Sequence, residues 1–585
     1  MPLKVLEIRD LSISFQTDES YVQAIKSISF DVFQGEVCAI VGESGSGKSV
    51  TAQSIMGLVG RKQNEFVKGS IKFTDSGKSI DILKLREEEI RNIRGQKISM
   101  IFQEPMTSLH PMYKIGDQLR EAIQVHSNLA VKETNRLIYE ALDQVRIPKP
   151  KEIINDYPHS LSGGMRQRVM IAMAILFKPR ILIADEPTTA LDVTIQSQIL
   201  SLILKLVDEI NLSVIFITHD MSVVSEIADQ VLVMKTGDLV ERRSVSDIFN
   251  QPKEEYTKDL IKSVPVFGNY SQSEKLIHGN PNSECLLEVK NVSKIFVKKK
   301  GIFRKTYEQN KAVENVSLQI NSGETLSIVG ESGSGKTTLA RCITKLIPND
   351  NGEIHFNGVN LNRSSKKELN LIRREIQFIF QDPYASLNPR MPVNYLLTEP
   401  LHIHKKINKK DNSAYASKLL KEVKLDDSYL NRYPHELSGG QRQRICIGRA
   451  LALKPKLIVA DEPLSALDVT IQSQIIDLLL ELQIKYKLSF LVISHDLAVV
   501  EKISHNVGVM CKGRLVEFGS TNKVLYSPKH NYTKILLRSI PTIKKDRKSK
   551  EIKKINLADE EYSKNLNLGK NNTYTKISSN HFYLT

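Results

Sequence analysis

Residues 37–50 read VCAIVGESGSGKSV, and this stretch predicts the fold of the chain. Its first five residues are apolar, which suits a strand buried on both faces, and they lead into a glycine-rich loop. The loop at 42–49 fits the pattern G-x-x-x-x-G-K-[ST], in which backbone N–H groups surround phosphate oxygens. In that pattern Lys48 reaches the β- and γ-phosphates, and the Ser49 hydroxyl binds Mg²⁺. The stretch therefore predicts a nucleoside triphosphate site at the edge of a parallel sheet.

The chain is an internal duplication, since its longest motifs occur twice in the same order. A second copy of the phosphate loop places Lys336 and Thr337 where the first copy has Lys48 and Ser49. The duplication makes a chance match to the loop pattern implausible. The repeated pairs are GESGSGKS (42–49) and GESGSGKT (330–337), LSGGMRQR (161–168) and LSGGQRQR (437–444), and ADEPTTALDVTIQSQI (184–199) and ADEPLSALDVTIQSQI (460–475).

The repeats predict two domains, 1–265 and 286–541, joined by a linker at 266–285. The linker is polar and contains Gly, Pro and Asn. Residues 542–585 are rich in Lys, Asn and Ser, and we expect a basic, disordered tail there. In each copy, short apolar runs such as ILIADEP and VIFITHD end in polar residues. Such runs indicate an α/β fold with a mostly parallel sheet, whose ligands bind beyond the carboxyl ends of the strands.

Composition excludes several classes of protein. The longest apolar run covers only 169–177, far short of the ~20 residues that span a bilayer. Glu7, Arg9 and Asp10 lie where a signal peptide would need a block of apolar residues. We therefore expect a soluble chain that is not exported by that route. The five cysteines have no metal-ligand spacing, which fits a reducing compartment. The net charge of +16 is better explained by a solvated surface or an anionic membrane face than by nucleic acid.

Two adjacent acidic residues end one predicted strand in each copy. They are Asp185 with Glu186, and Asp461 with Glu462. An aspartate beside a phosphate loop can hold Mg²⁺, directly or through water, and the glutamate can orient or deprotonate the attacking water. The pairing with a phosphate loop in both copies favours this interpretation over a solvated turn.

Two further polar residues follow predicted strands in each copy. His219 and His495 end the strands VIFITHD and FLVISHD, and we interpret them as contacts to the γ-phosphate or the attacking water. Gln103 and Gln381 follow the strands ending MIF and FIF. A neutral amide at this place can contact Mg²⁺ or water without adding charge.

These motifs, in this order and twice, resemble those of ATP-binding cassette (ABC) ATPases. The resemblance covers residues 5 to about 541, and the LSGG segment is specific to this class of P-loop proteins. It implies two tandem P-loop ABC ATPase domains with ATP and Mg²⁺ as ligands. Each domain would contain a mostly parallel core sheet, surrounding helices and a helical signature subdomain.

In this family two cassettes pack head to tail, and the LSGG of one covers the γ-phosphate held by the other. The linker at 266–285 is long enough to join two neighbouring cassettes, so we expect one chain to form its own cassette dimer, the alternative being that its halves pair with other copies. The resemblance places Asp192 and Asp468 at the seam between the two sites. The first site would contain Gly42, Glu43, Ser44, Gly45, Ser46, Gly47, Lys48, Ser49, Gln103, Glu186 and His219, with Ser438, Gly439 and Gly440. The second site would contain Gly330, Glu331, Ser332, Gly333, Ser334, Gly335, Lys336, Thr337, Gln381, Glu462 and His495, with Ser162, Gly163 and Gly164.

The resemblance also assigns the metal and the adenine contacts. Family members stack adenine on an early aromatic residue, which matches Phe15 and Phe296, with Tyr21 and Phe303 as neighbouring alternatives. The implied Mg²⁺ ligands are Ser49, Gln103 and Asp185 in the first copy and Thr337, Gln381 and Asp461 in the second.

Three finer features resemble the ATPases of dipeptide, oligopeptide and nickel importers. They are FQEPMTSLHP with FQDPYASLNP, the repeated DVTIQSQI, and an extension P-x-x-x-Y-T-x-x-L-x-x-S-x-P after each cassette. Glu255 and Asn531 replace the proline that usually precedes Tyr-Thr. The cysteines that bind an iron–sulfur cluster in some relatives are absent from the extension, so we expect no cluster.

This finer resemblance implies an ATPase that powers peptide import from the cytoplasmic face of the inner membrane. Its partners would be two integral-membrane permease subunits and a substrate-binding protein, and no nucleic acid is expected. The alternative is a soluble twin-cassette ATPase of translation or DNA repair, which would lack the importer extension. Dipeptides, longer peptides, glutathione, peptide antibiotics, haem and nickel all remain open as substrates.

Overall fold

The computed structural model describes residues 3–16, 21–103, 108–189, 191–264, 267–268, 284–300, 306–407, 411–465, 467–541, 574–578 and 581–584. These residues form two compact units. The first contains most of residues 3–264, and the second contains most of residues 267–541 and the strands near the C-terminus. The predicted linker at 266–285 lies mostly outside the described residues. Within the described part of the chain, no helix has the length and apolar character that crossing a membrane requires.

The first unit contains two sheets and the helices around them. Its strands are β1 (Lys4–Gln16), β2 (Tyr21–Phe33), β3 (Val37–Val41), β4 (Glu65–Asp75), β5 (Lys78–Asp81), β6 (Ile98–Ile101), β7 (Ile181–Asp185), β8 (Ser213–Ile217), β9 (Gln230–Lys235) and β10 (Asp238–Ser244). Its helices are α1 (Lys48–Ile55), α2 (Glu87–Arg91), α3 (Ile115–Gln124), α4 (Val131–Gln144), α5 (Pro150–Ile153), α6 (Gly163–Ile175), α7 (Val193–Ile210), α8 (Met221–Ile227), α9 (Val245–Asn250) and α10 (Glu255–Ser263). Single 3₁₀ turns lie at Ile82–Lys84 and Pro158–Ser160.

The core sheet of the first unit has the strand order β10-β9-β3-β8-β7-β6. Only β10 runs antiparallel to its neighbour, and every residue of β3, β7 and β8 is buried. Strands covered on both faces need apolar side chains throughout, which explains the continuous apolar runs of the sequence. The predicted mostly parallel α/β fold is confirmed.

Two hydrophobic clusters hold this unit together. One lies between the core sheet and an antiparallel sheet of order β2-β1-β4-β5, and it includes Ile8, Ile40 and Ile183. The other joins the opposite face of the core sheet to helices α3, α4 and α6, through residues such as Leu119 and Leu142. The second cluster fixes the helical part of the unit, where the LSGG segment lies, against the strands that end at the site.

The second unit repeats this arrangement. Its strands are β11 (Cys285–Lys300), β12 (Thr306–Asn321), β13 (Thr325–Val329), β14 (Asn351–Phe356), β15 (Val359–Asn360), β16 (Ile376–Ile379), β17 (Leu457–Asp461), β18 (Ser489–Ile493), β19 (Asn506–Cys511), β20 (Arg514–Ser520), β21 (Tyr574–Ser578) and β22 (His581–Leu584). Its helices are α11 (Lys336–Ile343), α12 (Lys366–Glu375), α13 (Pro383–Ser386), α14 (Val393–Ile403), α15 (Asn412–Glu422), α16 (Gly439–Leu451), α17 (Val469–Tyr486), α18 (Leu497–Ile503), α19 (Thr521–Tyr526) and α20 (Asn531–Arg538). The 3₁₀ turns are Asp427–Tyr429 and Pro434–Glu436.

The core sheet of the second unit is longer, with the order β16-β17-β18-β13-β19-β20-β22-β21. Its first six strands match the first unit, and the last two come from the predicted disordered tail. That prediction is wrong for 574–578 and 581–584, which form a hairpin against β20. The average composition of residues 542–585 is polar, but the segment HFYL at 581–584 contains aromatic residues, which favour strands.

The hairpin is held by buried contacts. The ring of Phe582 stacks on Phe518, with centroids 5.1 Å apart. His581 is buried, and its Nε2 lies 2.9 Å from Oε1 of Glu517, which is fully buried on β20. Because the Glu517 carboxyl is inaccessible to water, the His581 contact satisfies an acceptor that solvent cannot reach.

We predict that His581→Ala lowers the free energy of unfolding of the second unit by about 1–3 kcal/mol, since it removes a partner from a buried carboxyl group. Differential scanning calorimetry of the full chain measures this change. The control is His435→Ala, because His435 is exposed in the same unit. Equal unfolding curves for the two variants would show that the hairpin contributes no stability.

Candidate nucleotide-binding sites

The phosphate loop of the first unit connects the buried strand β3 to helix α1. Gly42 has φ 150°, and a Cβ there would lie 2.1 Å from the carbonyl oxygen of Met234, so only glycine fits. Lys48 is 6% exposed, and its Nζ donates to the carbonyl oxygens of Gly42 and Glu43, both at 2.8 Å. The loop therefore has a closed, lysine-centred shape next to a helix N-terminus, which is the geometry that binds phosphate.

The loop of the second unit has the same geometry. Gly330 has φ 148°, and its Cβ would lie 2.1 Å from the carbonyl oxygen of Met510. Lys336 Nζ donates to the carbonyl oxygens of Gly330 at 2.7 Å and Glu331 at 2.9 Å. Burial lowers the pKa of the Lys336 ammonium group. An ammonium group in such a site gains most from an anionic partner.

A buried hydroxyl group without a hydrogen-bond partner lies in each loop. These are the Oγ atoms of Ser46 and Ser334, which have no partner among the described residues. Buried polar atoms are nearly always hydrogen-bonded in folded proteins. The two serines fit a ligand with acceptor oxygens, such as a phosphate group.

Glu186 is the centre of a polar cluster in the first unit. Its Oε2 accepts hydrogen bonds from Nε2 of Gln103 at 3.0 Å and from Oγ1 of Thr189 at 2.9 Å. Nδ1 of His219 lies 3.2 Å from Oε1. Burial by itself would raise the pKa of this carboxyl, but the hydrogen bonds from His219, Thr189 and Gln103 lower it to about 2. Glu186 is therefore ionised at neutral pH.

Glu462 has the corresponding cluster in the second unit, with two differences. Nε2 of Gln381 donates to its Oε2 at 2.8 Å, and Nδ1 of His495 lies 3.5 Å from the same oxygen. Ser465 replaces Thr189, and its hydroxyl donates to the backbone carbonyl of Glu462 instead of the carboxylate. Burial opposes ionisation, but His495 and Gln381 lower the pKa of Glu462 below its ordinary value.

His495 and Glu462 each stabilise the charged form of the other side chain. Burial would lower the pKa of its imidazole, but the Glu462 carboxylate raises it above the ordinary value. Since an ionised carboxylate only accepts hydrogen bonds, Nδ1 carries a hydrogen in this pair. The raised pKa favours the imidazolium form, which donates from both ring nitrogens.

The aspartates fit Mg²⁺. Burial raises the pKa of Asp185 and of Asp461, and hydrogen bonds from Ser49 and Thr337 act in the opposite direction. Thr337 Oγ1 lies 3.0 Å from Asp461 Oδ1, and Asp185 Oδ1 has no hydrogen-bond partner among the described residues. No group of three or more His, Cys, Asp or Glu residues in the described chain could hold a metal alone. A carboxylate and a hydroxyl per loop suit Mg²⁺, which usually takes its other ligands from phosphate and water.

The signature segments begin helices in their own units. Ser162 is the N-cap of α6, and its Oγ accepts from the backbone N–H of Met165 at 3.3 Å. Ser438 caps α16 in the same way, through Gln441. Their predicted contact with the γ-phosphate of the other copy stays a prediction, as do the roles of Asp192 and Asp468.

The aromatic candidates differ in exposure. Phe15 packs partly against the core, whereas Phe296 is 45% exposed with Lys294 Nζ 5.6 Å from its ring centroid. The ring of the alternative Tyr21 packs at an angle of 36° against Phe66, with centroids 5.2 Å apart. Phe303 lies outside the described residues. Stacking of adenine on any of these rings stays a prediction.

Three contacts at the site involve residues that the sequence motifs do not assign to it. Thr189 lies within a repeated motif, and its hydroxyl donates to the Glu186 carboxylate. Tyr256 and Tyr532, from the extensions, accept hydrogen bonds from the backbone N–H groups of Glu43 at 3.3 Å and Glu331 at 3.1 Å. The signal was present, because the Tyr-Thr pair recurs in both copies, but chain distance gave no reason to place it at the loop.

Comparisons with known proteins identify the family of the chain. The ABC transporter family matches residues 25–189 and 313–465, and the oligopeptide/dipeptide transporter C-terminal region matches 240–289 and 516–570. The glutathione import ATP-binding protein GsiA of Pectobacterium atrosepticum is 44% identical over 568 residues, which cover 94% of this chain and 91% of that protein. The glutathione import ATP-binding protein GsiA of Escherichia coli K12 is 47% identical over 565 residues, which cover 93% of this chain and 90% of that protein.

A solved dimeric ATP-binding cassette, in a post-hydrolysis state with ADP and Pi, is 32% identical and covers 40% of this chain and 99% of its own, with a TM-score of 0.36. The two family matches fall on both copies, and each copy holds the loop, glutamate, histidine and glutamine described above. The chain belongs to the family of ABC transporter ATP-binding proteins, ATPases that power import, and it carries the oligopeptide/dipeptide transporter C-terminal region in both halves.

Proposed function

We propose that both loops bind MgATP and that Glu186 and Glu462 support its hydrolysis, which drives import of small peptides. The observation that carries this proposal is the same cluster in both units. In each, a partly buried, ionised glutamate at the carboxyl end of a core strand is contacted by a glutamine and a histidine. Because the same set of contacts occurs in both units, a chance surface contact is a poor explanation for it.

The hydrogen bonds indicate how each side chain acts. A carboxylate with a pKa of about 2 is a weak base, so Glu186 chiefly orients the attacking water and accepts its proton as the bond to phosphorus forms. Gln103 donates from Nε2 to this carboxylate, which directs its other amide atom toward the reacting groups. Lys48 balances charge on the β- and γ-phosphates. Ser49 and Asp185 would hold Mg²⁺, which would neutralise negative charge on the phosphates.

The histidines complete the arrangement. His495 donates from Nδ1 to Glu462, and its imidazolium form also donates from Nε2. A donor at that position stabilises the γ-phosphate as negative charge builds up. His219 lies in the same position relative to Glu186.

We predict that Glu186→Gln/Glu462→Gln reduces the rate of ATP hydrolysis by about 100-fold or more, because an amide cannot accept the proton of the attacking water. Nucleotide binding should persist, since it depends on the loops. Phosphate release and equilibrium binding of MgATP by the purified chain measure the two effects. Glu209→Gln is the control, because Glu209 is an exposed residue that pairs with Lys205 at 3.3 Å. Turnover at the control rate in the double variant would remove both glutamates from the mechanism.

We further propose that the LSGG segment of each copy completes the nucleotide site of the other copy within one chain. The support is the family resemblance, together with the serine that caps a helix N-terminus in each segment. A capped N-terminus with glycines in its first turn lets backbone N–H groups approach a phosphate closely.

We predict that Ser438→Arg abolishes vanadate trapping of nucleotide at the Lys48 loop and preserves it at the Lys336 loop. Arginine would obstruct the segment that covers the distant γ-phosphate. Photolabelling with an azido-ATP, followed by peptide mapping, separates the two loops. Ser162→Arg is the matched control and should give the reverse result. Loss of labelling at the loop of the mutated copy would contradict the exchange of segments.

The proposed substrates are glutathione and other small peptides, which two permease subunits and a binding protein would deliver. This class is supported by the C-terminal region in both halves and by the names of the relatives. The chain would act at the cytoplasmic face of the inner membrane.

Cells that express the chain with its permeases and binding protein should accumulate labelled glutathione or a labelled dipeptide. Accumulation should stop when the chain carries Glu186→Gln/Glu462→Gln. Transport of neither compound by the wild-type assembly, despite ATP hydrolysis, would contradict the substrate class and leave the ATPase intact.

A further inference from the structure

The C-terminal extension of each cassette contacts the phosphate loop. Helix α10 places the hydroxyl of Tyr256 at 3.3 Å from the backbone nitrogen of Glu43. Helix α20 places the hydroxyl of Tyr532 at 3.1 Å from the backbone nitrogen of Glu331. In both cases the loop N–H donates and the tyrosine oxygen accepts.

The peptide group that donates to the tyrosine is the same one that holds the loop lysine. Its N–H belongs to Glu43 and its C=O to Gly42, and that carbonyl accepts from Lys48 Nζ at 2.8 Å. The second unit repeats the chain of bonds, with 2.7 Å from Lys336 Nζ to the Gly330 oxygen. A hydrogen bond at each end of one peptide group fixes the orientation of its plane. This plane needs such support, because glycine permits more backbone conformations than any other residue.

A buried glutamate fixes the start of each tyrosine-bearing helix. Glu241 is 6% exposed, and it accepts from the backbone N–H groups of Lys253 at 3.0 Å and Glu254 at 3.2 Å. Glu517, which is fully buried, accepts from Lys529 at 2.8 Å and His530 at 3.0 Å. These N–H groups lie one or two residues before the helix. The carboxylates therefore fix the turn that precedes each tyrosine-bearing helix.

The surroundings of the rings support a fixed position. Tyr532 is 1% exposed and packs with Val509 and Leu536. Tyr256 is half-buried, and the ammonium group of Lys235 lies 4.5 Å from its ring centroid. Burial raises the pKa of the Tyr532 phenol well above its ordinary value, so the hydroxyl stays neutral.

We propose that Tyr256 and Tyr532 are positioning residues of the two nucleotide sites, which makes each C-terminal extension a part of the ATP-binding structure. Each tyrosine orients the first peptide group of the phosphate loop. Because the carbonyl of this group accepts from the loop lysine, the tyrosine also fixes the position of the lysine ammonium group. The inference rests on the proposed ATPase function, and it assigns to the extension a task separate from substrate choice or permease contact.

The test compares Tyr256→Phe/Tyr532→Phe with the wild-type chain in MgATP hydrolysis. Phenylalanine keeps the ring and its packing but removes the acceptor. The KM for ATP should rise about 3- to 10-fold, as expected from the loss of a hydrogen bond, while kcat changes less than about twofold. Tyr415→Phe is the control, because Tyr415 is exposed on α15. A general loss of stability would lower the active fraction and therefore kcat, without raising KM.

Each outcome decides the matter. Unchanged KM in the double variant, with normal wild-type hydrolysis, overturns the positioning role and leaves the proposed function standing. Absence of hydrolysis in the wild-type chain overturns the proposed function itself. If the double variant does not fold, Tyr256→Phe alone decides, since its half-buried ring tolerates the change better than that of Tyr532. That single variant should raise the KM of one of the two sites, visible as a biphasic dependence on ATP concentration.

Discussion

Burial of the core strands on both faces is the constraint on which the rest of each unit depends. The strands β3, β7 and β8 have no exposed residue, so polar side chains can occur only where the strands end. Because these strands and β6 run parallel, their carboxyl ends lie at one edge of the sheet. The phosphate loop, Asp185 and His219 each follow one of these ends. The site is therefore a consequence of how the core is covered.

The two glutamates are among the non-glycine residues that have a left-handed backbone conformation. Glu186 has φ 47° and Glu462 has φ 46°, a left-handed conformation that costs a non-glycine residue about 1–3 kcal/mol. The backbone N–H of Glu186 donates to the carbonyl of Ile217 at 2.9 Å, and Glu462 donates to Ile493 at 3.0 Å. These bonds to the neighbouring strand hold the conformation. The sharp turn after the strand directs the carboxylate toward the glutamine and the histidine.

Local sequence patterns predict most of the fold and most of the residues that lie at the candidate sites. Apolar runs identify strands covered on both faces, and a glycine-rich loop with a lysine identifies a phosphate site, because both depend on local residues. Contacts between distant segments do not have such local signals. Tyr256 is more than two hundred residues from Glu43, and the threonine-for-serine difference at Thr189 and Ser465 changes a hydrogen bond without changing the motif. The hairpin at 574–584 was hidden by the composition of the residues before it.

The two phosphate loops, one in each half of the chain, are expected to bind one MgATP each. The most direct measurement is the number of MgATP-analogue molecules that one purified chain binds at saturation, by equilibrium dialysis with a nonhydrolysable analogue. We expect two bound molecules per chain, and one per chain after Lys48→Ala or Lys336→Ala alone. A value of one for the wild-type chain, or no loss from either substitution, would contradict it.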